Sequence, residues 1–274
     1  MKDYCLELVT AQKSSIAKYN IMREYLQAYV LRIMHDRNAF QSTAFVGGTA
    51  LRFLYDLPRF SEDLDFSLHK KPSYVFADLM SVIKQEFVLA GYEASVTYDE
   101  TKTVQSAFVK FEGLMYEAKL SPMKSQKFSI KIEIDTKPPK GAVVTTQIVN
   151  KFFPIAFLSY DLPSLLAGKI HALLSRKYTK GRDYFDIAWY LSRFKTIVPN
   201  FKLLHNALTQ TGYTKKMPTE NDWRKYLSDV VQKADWKTVH TDVVNFLENP
   251  KDMDIFTKEN VLRIIREENQ SRLI

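Results

Sequence analysis

A chain of 274 residues with 46% hydrophobic side chains has room for one large or two modest domains and enough apolar mass for a sizeable core, which excludes the disordered class. Its one cysteine, Cys5, excludes an internal disulfide and gives no basis for a cysteine-rich zinc site. A formal charge of +8 favours an acidic partner, and nucleic acid is the foremost, because Lys and Arg bind phosphates without regard to sequence.

Taken in order, the chain opens with a helix over about Lys13 to Arg37, in which Ile16, Tyr19, Met22, Leu26, Tyr29 and Ile33 recur at spacings of three and four. A strand from Phe40 to Gly47, a helix from Thr49 to Tyr55 and a strand from Glu62 to His69 follow. Ser73 to Ala90 is the next helix, with Val75, Leu79, Val82, Ile83 and Phe87 on one side and Gly91 at the C-cap position. Strands are expected at Ala94 to Tyr98, Val104 to Phe111 and Phe128 to Asp135, and Pro138-Pro139-Lys140-Gly141 then breaks the pattern. The sheet is expected to end near residue 150. From Leu162 the periodicity is helical, with Lys-rich loops such as Tyr213 to Pro218 and an amphipathic end over Lys258 to Ile274. Two domains are therefore expected, 1–155 and 156–274, the second all-helical.

No membrane segment is expected. The N-terminus has no continuous apolar stretch, and the most apolar run, Phe152 to Tyr160, contains Pro154 and is far short of the roughly 20 residues that a spanning helix needs. A cytoplasmic protein fits these features. His35, His69, His171, His205 and His240 show no metal-ligand spacing.

The chemistry concentrates in Phe45-Val-Gly-Gly-Thr-Ala-Leu51 and Ser61-Glu-Asp-Leu-Asp-Phe66. An apolar strand that turns through Gly47 and Gly48 into a helix at Thr49 offers backbone N–H groups where the helix dipole favours phosphate. In Asp63-Leu64-Asp65 the strand period of two puts both carboxylates on one face and sends Leu64 and Phe66 inward. Two carboxylates beside phosphates suit Mg²⁺, which takes oxygen ligands from one or two carboxylates and from the substrate. Alone, a Gly-Gly is usually a turn and an Asp-x-Asp a solvated strand face; together they are far more specific.

Together these segments resemble motif I of the polymerase-beta-like nucleotidyltransferases. The wording Gly47-Gly-Thr-Ala-Leu-Arg52 with Arg59-Phe-Ser-Glu-Asp-Leu-Asp-Phe66 is similar to the AbiEii/AbiGii toxins, a family that includes the mycobacterial MenT toxins. The resemblance runs over most of residues 40 to 190 and fades beyond. It departs from the wider fold at Gly48-Thr49, where Gly-Ser is usual, although Thr49 keeps a hydroxyl able to touch phosphate. It implies an α+β fold, a mixed sheet with flanking helices followed by an all-helical C-terminal domain.

Two further patches gain meaning from it. Along Ile130-Lys-Ile-Glu-Ile-Asp135 the isoleucines alternate with charge, which alone describes a sheet with one wet face. By resemblance Asp135 is the third carboxylate, completing the metal site or acting as general base, with Glu133 on the same face in reserve. Around Lys169 to Asp186, Lys169 and Arg176 lie two turns apart on one side of a helix, placed to face a triphosphate, while Arg182 and Asp186 form an i, i+4 pair with Asp183 at the helix start. Taken alone, a helix-start salt bridge is the cheaper explanation of that pattern. The family carries a Lys and an Asp after an Arg-Asp pair, and Lys169 and Asp186 match them, so phosphate clamp and active-site carboxylate are the implied roles.

The resemblance thus implies an enzyme that uses Mg²⁺ and a nucleoside triphosphate, with Asp63 and Asp65 on the metal, Gly47, Gly48, Thr49, Lys169, Arg176 and Arg182 on the nucleotide, and Asp135 and Asp186 completing the site. A tRNA or other RNA end is the implied acceptor, blocked translation and growth the result, and a separately encoded antitoxin the regulator. Alternatives are a non-catalytic nucleotide- or RNA-binding module, and a transferase acting on a small molecule or protein.

Overall fold

The computed structural model describes residues 1–72 and 74–267. Its chain divides into two compact units: unit 1 comprises residues 1–56, 60–138 and 144–159, and unit 2 comprises 57–59, 139–143 and 160–274.

Unit 1 opens with α1 (Lys2–Thr10), which was not foreseen, and α2 (Ser15–Asp36), whose Ser14 side chain caps the helix by accepting from the Ala17 N–H. A 3-10 turn at Ala39–Gln41 leads into β1 (Thr43–Val46), α3 (Gly47–Tyr55) and β2 (Asp63–Leu68). Then come α4 (Phe76–Leu89), β3 (Glu93–Asp99), β4 (Val104–Glu112), the single turn α5 (Leu114–Glu117), β5 (Phe128–Asp135), β6 (Val144–Asn150) and β7 (Pro154–Tyr160). Val75, expected on the buried side of α4, precedes that helix and is exposed, and Ser73 lies outside the described residues.

Among the described residues, seven strands form one mixed sheet in the order β3-β4-β5-β2-β1-β7-β6. The β1–β2, β3–β4 and β4–β5 pairs are antiparallel, whereas β2–β5 and β1–β7 are parallel. The sheet therefore continues past residue 150. Pro154 is tolerated because it is the first residue of β7, where a missing N–H costs least.

Period-two alternation makes one face of this sheet the core. Leu64 and Phe66, Ile130, Ile132 and Ile134, and Ala107, Val109 and Phe111 are all buried there. Phe45 stacks between Phe66 and Phe157, with ring centroids 5.3 and 5.4 Å away, so β1 is held by aromatic packing from both neighbouring strands.

Helix α2 is more deeply buried than its stripe predicts. Tyr4 and the Phe152–Phe153 link pack on Tyr25, and Phe153 also meets Tyr29, while Arg23, Glu24 and Gln27 are buried as well. Ile16, by contrast, is half exposed. These buried polar groups are paired: Glu24 accepts from Arg52 of α3 at 2.6 Å and from Lys151 at 2.8 Å. The Arg52 of the Gly-Gly motif therefore ties α3 to α2.

Unit 2 is helical, with α6 (Leu162–Ser175), α7 (Gly181–Arg193), α8 (Phe201–Gln210), α9 (Trp223–Lys233), α10 (Trp236–Val243), α11 (Asp252–Ile255) and α12 (Lys258–Arg266). Asp161, Asn200, Asp235 and Thr257 cap α6, α8, α10 and α12 through side-chain oxygens, which is why these helices start where they do. Helix α7 is central, with every residue from Gly181 to Leu191 buried. It begins with glycine for a steric reason: a Cβ at Gly181 would overlap the Val239 carbonyl of α10. The final part of the expected terminal helix, 268–274, lies outside the described residues. Among the described residues no helix is long and apolar enough to cross a membrane.

Candidate active site

In unit 1 the strand-turn-helix-strand motif forms a compact polar site. Gly47 stands at the start of α3 with φ +79°, a conformation that L side chains avoid, and a Cβ there would collide with the Asp65 carboxylate. Glycine is thus required twice, once for the turn and once to let Asp65 lie against the backbone. The α3 N-terminus has no side-chain cap, since Val46 precedes it, and its first N–H groups have no partner within the helix. Replacing Gly47 by Ala should cost about 1–2 kcal/mol from the backbone alone and displace Asp65 as well. The check is a melting curve read beside a transfer assay: full activity in the variant would show that the Gly47–Asp65 contact does not matter.

Thr49 is fully buried, and its hydroxyl donates to the Asp63 backbone carbonyl. The hydroxyl expected to face phosphate instead joins α3 to β2, which leaves the backbone N–H as the group Thr49 offers at the turn. The approach to β2 is fixed in the same manner, because the Gln27 amide donates to the carbonyls of Ser61 and Glu62 at 3.1 and 2.8 Å.

Asp63 and Asp65 alternate with buried Leu64 and Phe66, so both carboxylates lie on the wet face of β2. The parallel register sets Asp63 beside Lys131, Asp65 beside Glu133 and Ser67 beside Asp135. Paired residues share a face, so the carboxylate alongside Asp65 is that of Glu133. Asp135 sits one strand repeat further along, where its Oδ1 accepts from the Lys137 N–H at 2.9 Å. Lys131 binds Glu133 at 2.8 Å. Burial acts to lower the Lys131 pKa, but Glu133, Asp63 and Asp65 outweigh it and hold the ammonium above the usual lysine value. One lysine thus faces three carboxylates, a field that draws a cation.

Among the described residues no group of three or more His, Cys, Asp and Glu side chains is arranged to hold a metal by itself. That donor set still suits Mg²⁺, which characteristically binds one or two carboxylates and takes its remaining ligands from water and substrate phosphates.

Lys169, Arg176 and Asp186 lie in unit 2, in a largely buried ionic cluster with Arg59 and Asp183. Arg59 Nε and Nη2 donate to the two Asp186 oxygens at 2.6 Å each. Lys169 reaches Asp186 at 2.6 Å and Asp183 at 3.0 Å, and Arg176 reaches Asp183 at 2.7 Å. Arg59 is 2% exposed and Asp186 fully buried. Burial works to lower Lys169, yet Asp186 and Asp183 raise it above its ordinary value; burial works to raise Asp183, yet Lys169 and Arg176 hold it below the usual carboxylate range.

Lys169 is therefore largely buried, held by two carboxylates, and shares Asp183 with Arg176. Arg182 and Asp186 do not pair. Arg182 lies 4.1 Å over the Phe246 ring, and both its backbone N–H and its Nε donate to Asp242. Arg59 is the participant that was missed. It stands inside the quoted Arg-Phe-Ser-Glu-Asp motif, but its partner Asp186 is 127 residues away in sequence.

The family described as nucleotidyl transferase AbiEii toxin, type IV TA system, matches residues 30–258. Among solved structures the chain is similar to MenT4, a nucleotidyltransferase toxin of Mycobacterium tuberculosis, with 13% identity, a TM-score of 0.59 and coverage of 97% of this chain and 88% of that one. It is also similar to a candidate nucleotidyltransferase of H. pylori, with 17% identity, a TM-score of 0.53 and coverage of 93% and 98%. At such identities these two likenesses concern the fold. No curated protein matches the sequence. Most of the chain, including both the Gly-Gly and Asp-x-Asp motif and the Lys169 to Asp186 segment, falls within the family match, and the protein belongs to the AbiEii nucleotidyltransferase toxin family of type IV toxin–antitoxin systems.

Proposed function

We propose that the protein transfers a nucleotide from a nucleoside triphosphate to the end of an RNA, a tRNA being the acceptor that the family resemblance suggests, and that blocked translation arrests growth until a cognate antitoxin intervenes. The contact of Gly47 with the Asp65 carboxylate is the observation that carries this reading. It brings an uncapped helix N-terminus and the Asp-x-Asp carboxylates together at one place, an arrangement suited to a phosphate with its cation.

Asp63 and Asp65 are the residues that would hold Mg²⁺, which when bound supplies charge neutralisation on the phosphate oxygens. The N–H groups of Gly47, Gly48 and Thr49 bind the triphosphate by donation at the start of α3. In the reaction an acceptor hydroxyl oxygen bonds to the α-phosphorus, the bond to pyrophosphate breaks, and the hydroxyl proton passes to a carboxylate. Glu133 is the better general base on register, since it is aligned with Asp65, and Asp135 is the alternative. Family pattern assigns Lys169 to a phosphate clamp and Asp186 to an active-site carboxylate, and Arg176 and Arg182 are the further candidates for the nucleotide. The ionic cluster supports a rigidly held Lys169, and the packing of Arg182 on Phe246 makes it the weakest of the four.

Incubating the purified protein with each labelled nucleoside triphosphate, Mg²⁺ and total cellular RNA tests the reading directly. One triphosphate should label an RNA band, and EDTA should prevent it. Label appearing only on protein or small molecules would remove RNA as the acceptor.

A further inference from the structure

Unit 2 contains a cavity of about 380 Å³ bordered by the α6–α7 link and the C-terminal end of α9. Arg176, Lys177, Tyr178, Lys180, Tyr184 and Lys233 line it, and its size suits one nucleotide unit rather than a flat contact. Asp183 is the one carboxylate among the described lining residues, and it is already engaged by Lys169 and Arg176. Lys177, Lys180 and Lys233 have no ion pair among the described residues.

The charge count explains why such a cavity calls for an anion. Among the lining residues one carboxylate, Asp183, stands with four cations, Arg176, Lys177, Lys180 and Lys233, and that carboxylate is also shared with Lys169. Burial together with repulsion from Arg182 and Arg176 pushes the Lys180 pKa below the ordinary lysine value. An anion in the cavity relieves that repulsion.

We propose that this cavity binds a backbone phosphodiester of single-stranded RNA, the strand that presents its end for modification. The distinction from a free triphosphate lies in the metal. A nucleoside triphosphate arrives with a divalent cation that seeks carboxylate oxygens, whereas the cavity's carboxylate is already engaged by Lys169 and Arg176 and its unpaired charged groups are the ammonium ions of Lys177, Lys180 and Lys233. A singly charged diester needs no metal and is matched by point-charge lysines. Tyr178, 67% exposed with the Arg176 guanidinium 5.7 Å from its ring centre, supplies a face on which an unstacked base can lie.

The inference rests on the transferase reading only in naming the strand as acceptor, so binding and transfer are measured separately. The full chain carrying Lys177→Glu and Lys233→Glu, both at exposed positions, is titrated with a labelled single-stranded RNA oligonucleotide at several salt concentrations, and with a nucleoside triphosphate plus Mg²⁺. RNA affinity should fall about tenfold or more, as removal of charged hydrogen bonds does. The slope of log affinity against log salt should become shallower by about 0.7 for each RNA phosphate that the variant no longer neutralises, while triphosphate affinity should hold. Unchanged RNA affinity and slope in a folded variant would overturn the proposal, as would an equal fall in triphosphate affinity. Failure of the wild-type protein to label RNA would instead count against the transferase reading and leave the binding comparison to judge the cavity.

Discussion

Asp63→Asn and Asp65→Asn are each expected to reduce nucleotide transfer by roughly a thousandfold or more, because removing a charged ligand forfeits the several kcal/mol of phosphate stabilisation that a bound metal supplies. Both side chains are on the wet face of β2, and the asparagine amide keeps their volume, so folding should be spared. Melting temperatures near that of the wild type, alongside lost transfer and lost growth inhibition, constitute the expected pattern. A folded variant that retains most of its transfer would show that the carboxylate in question does not hold the metal. Glu133→Gln and Asp135→Asn belong in the same series. Register predicts the larger loss at Glu133, and the opposite order would return the role of third carboxylate to Asp135.

The second large effect is on stability. Asp186→Ala leaves Arg59 and Lys169 buried without their shared counter-charge, and breaking a buried pair of this kind costs about 3–5 kcal/mol. Against a total stability of about 5–15 kcal/mol this is a severe loss, which thermal unfolding should register as a fall on the order of 10 °C. Replacing Arg59 and Asp186 together by Met and Leu should recover much of it, since desolvating neither charge is often as favourable as pairing both. A melting temperature for Asp186→Ala within about 2 °C of the wild type would contradict the buried cluster. Lys169→Ala belongs to the same network, so its activity is interpretable only beside its own melting curve.

Much of unit 1 was legible locally. The alternation in Ile130 to Asp135 and Asp63 to Phe66, and the breaks at Gly47-Gly48 and Pro138-Pro139, depend only on backbone geometry and on which side of a strand a residue occupies, and the structure has the corresponding elements within a few residues. Three features were not legible, each because it depends on partners distant in the chain. Helix α2 looked amphipathic because nothing in its own spacing reveals that Phe152 and Phe153 return to cover its flank. The α1 helix and the extension of the sheet through β7 were missed, the latter because β7 joins the sheet by pairing with β1, a strand far earlier in the chain.

The site divides along the same line. That Asp63 and Asp65 share a face, and that a Gly-Gly turn precedes a helix, follows from the period of a strand and the conformational freedom of glycine, and the sequence alone determines both. Tertiary structure decided what those residues meet. Parallel pairing of β2 with β5 put Glu133, not Asp135, beside Asp65, and a parallel register depends on the long connection between the strands, which no local pattern encodes. Likewise Thr49 had one hydroxyl for two acceptors, and the closeness of β2 awarded it to the Asp63 carbonyl. Lys169 could have been a solvated cation by its spacing. It became a largely buried one because Asp183 and Asp186 converge on it, and the Arg59–Asp186 ion pair across 127 residues exists only once folding has removed the water that would otherwise screen both charges.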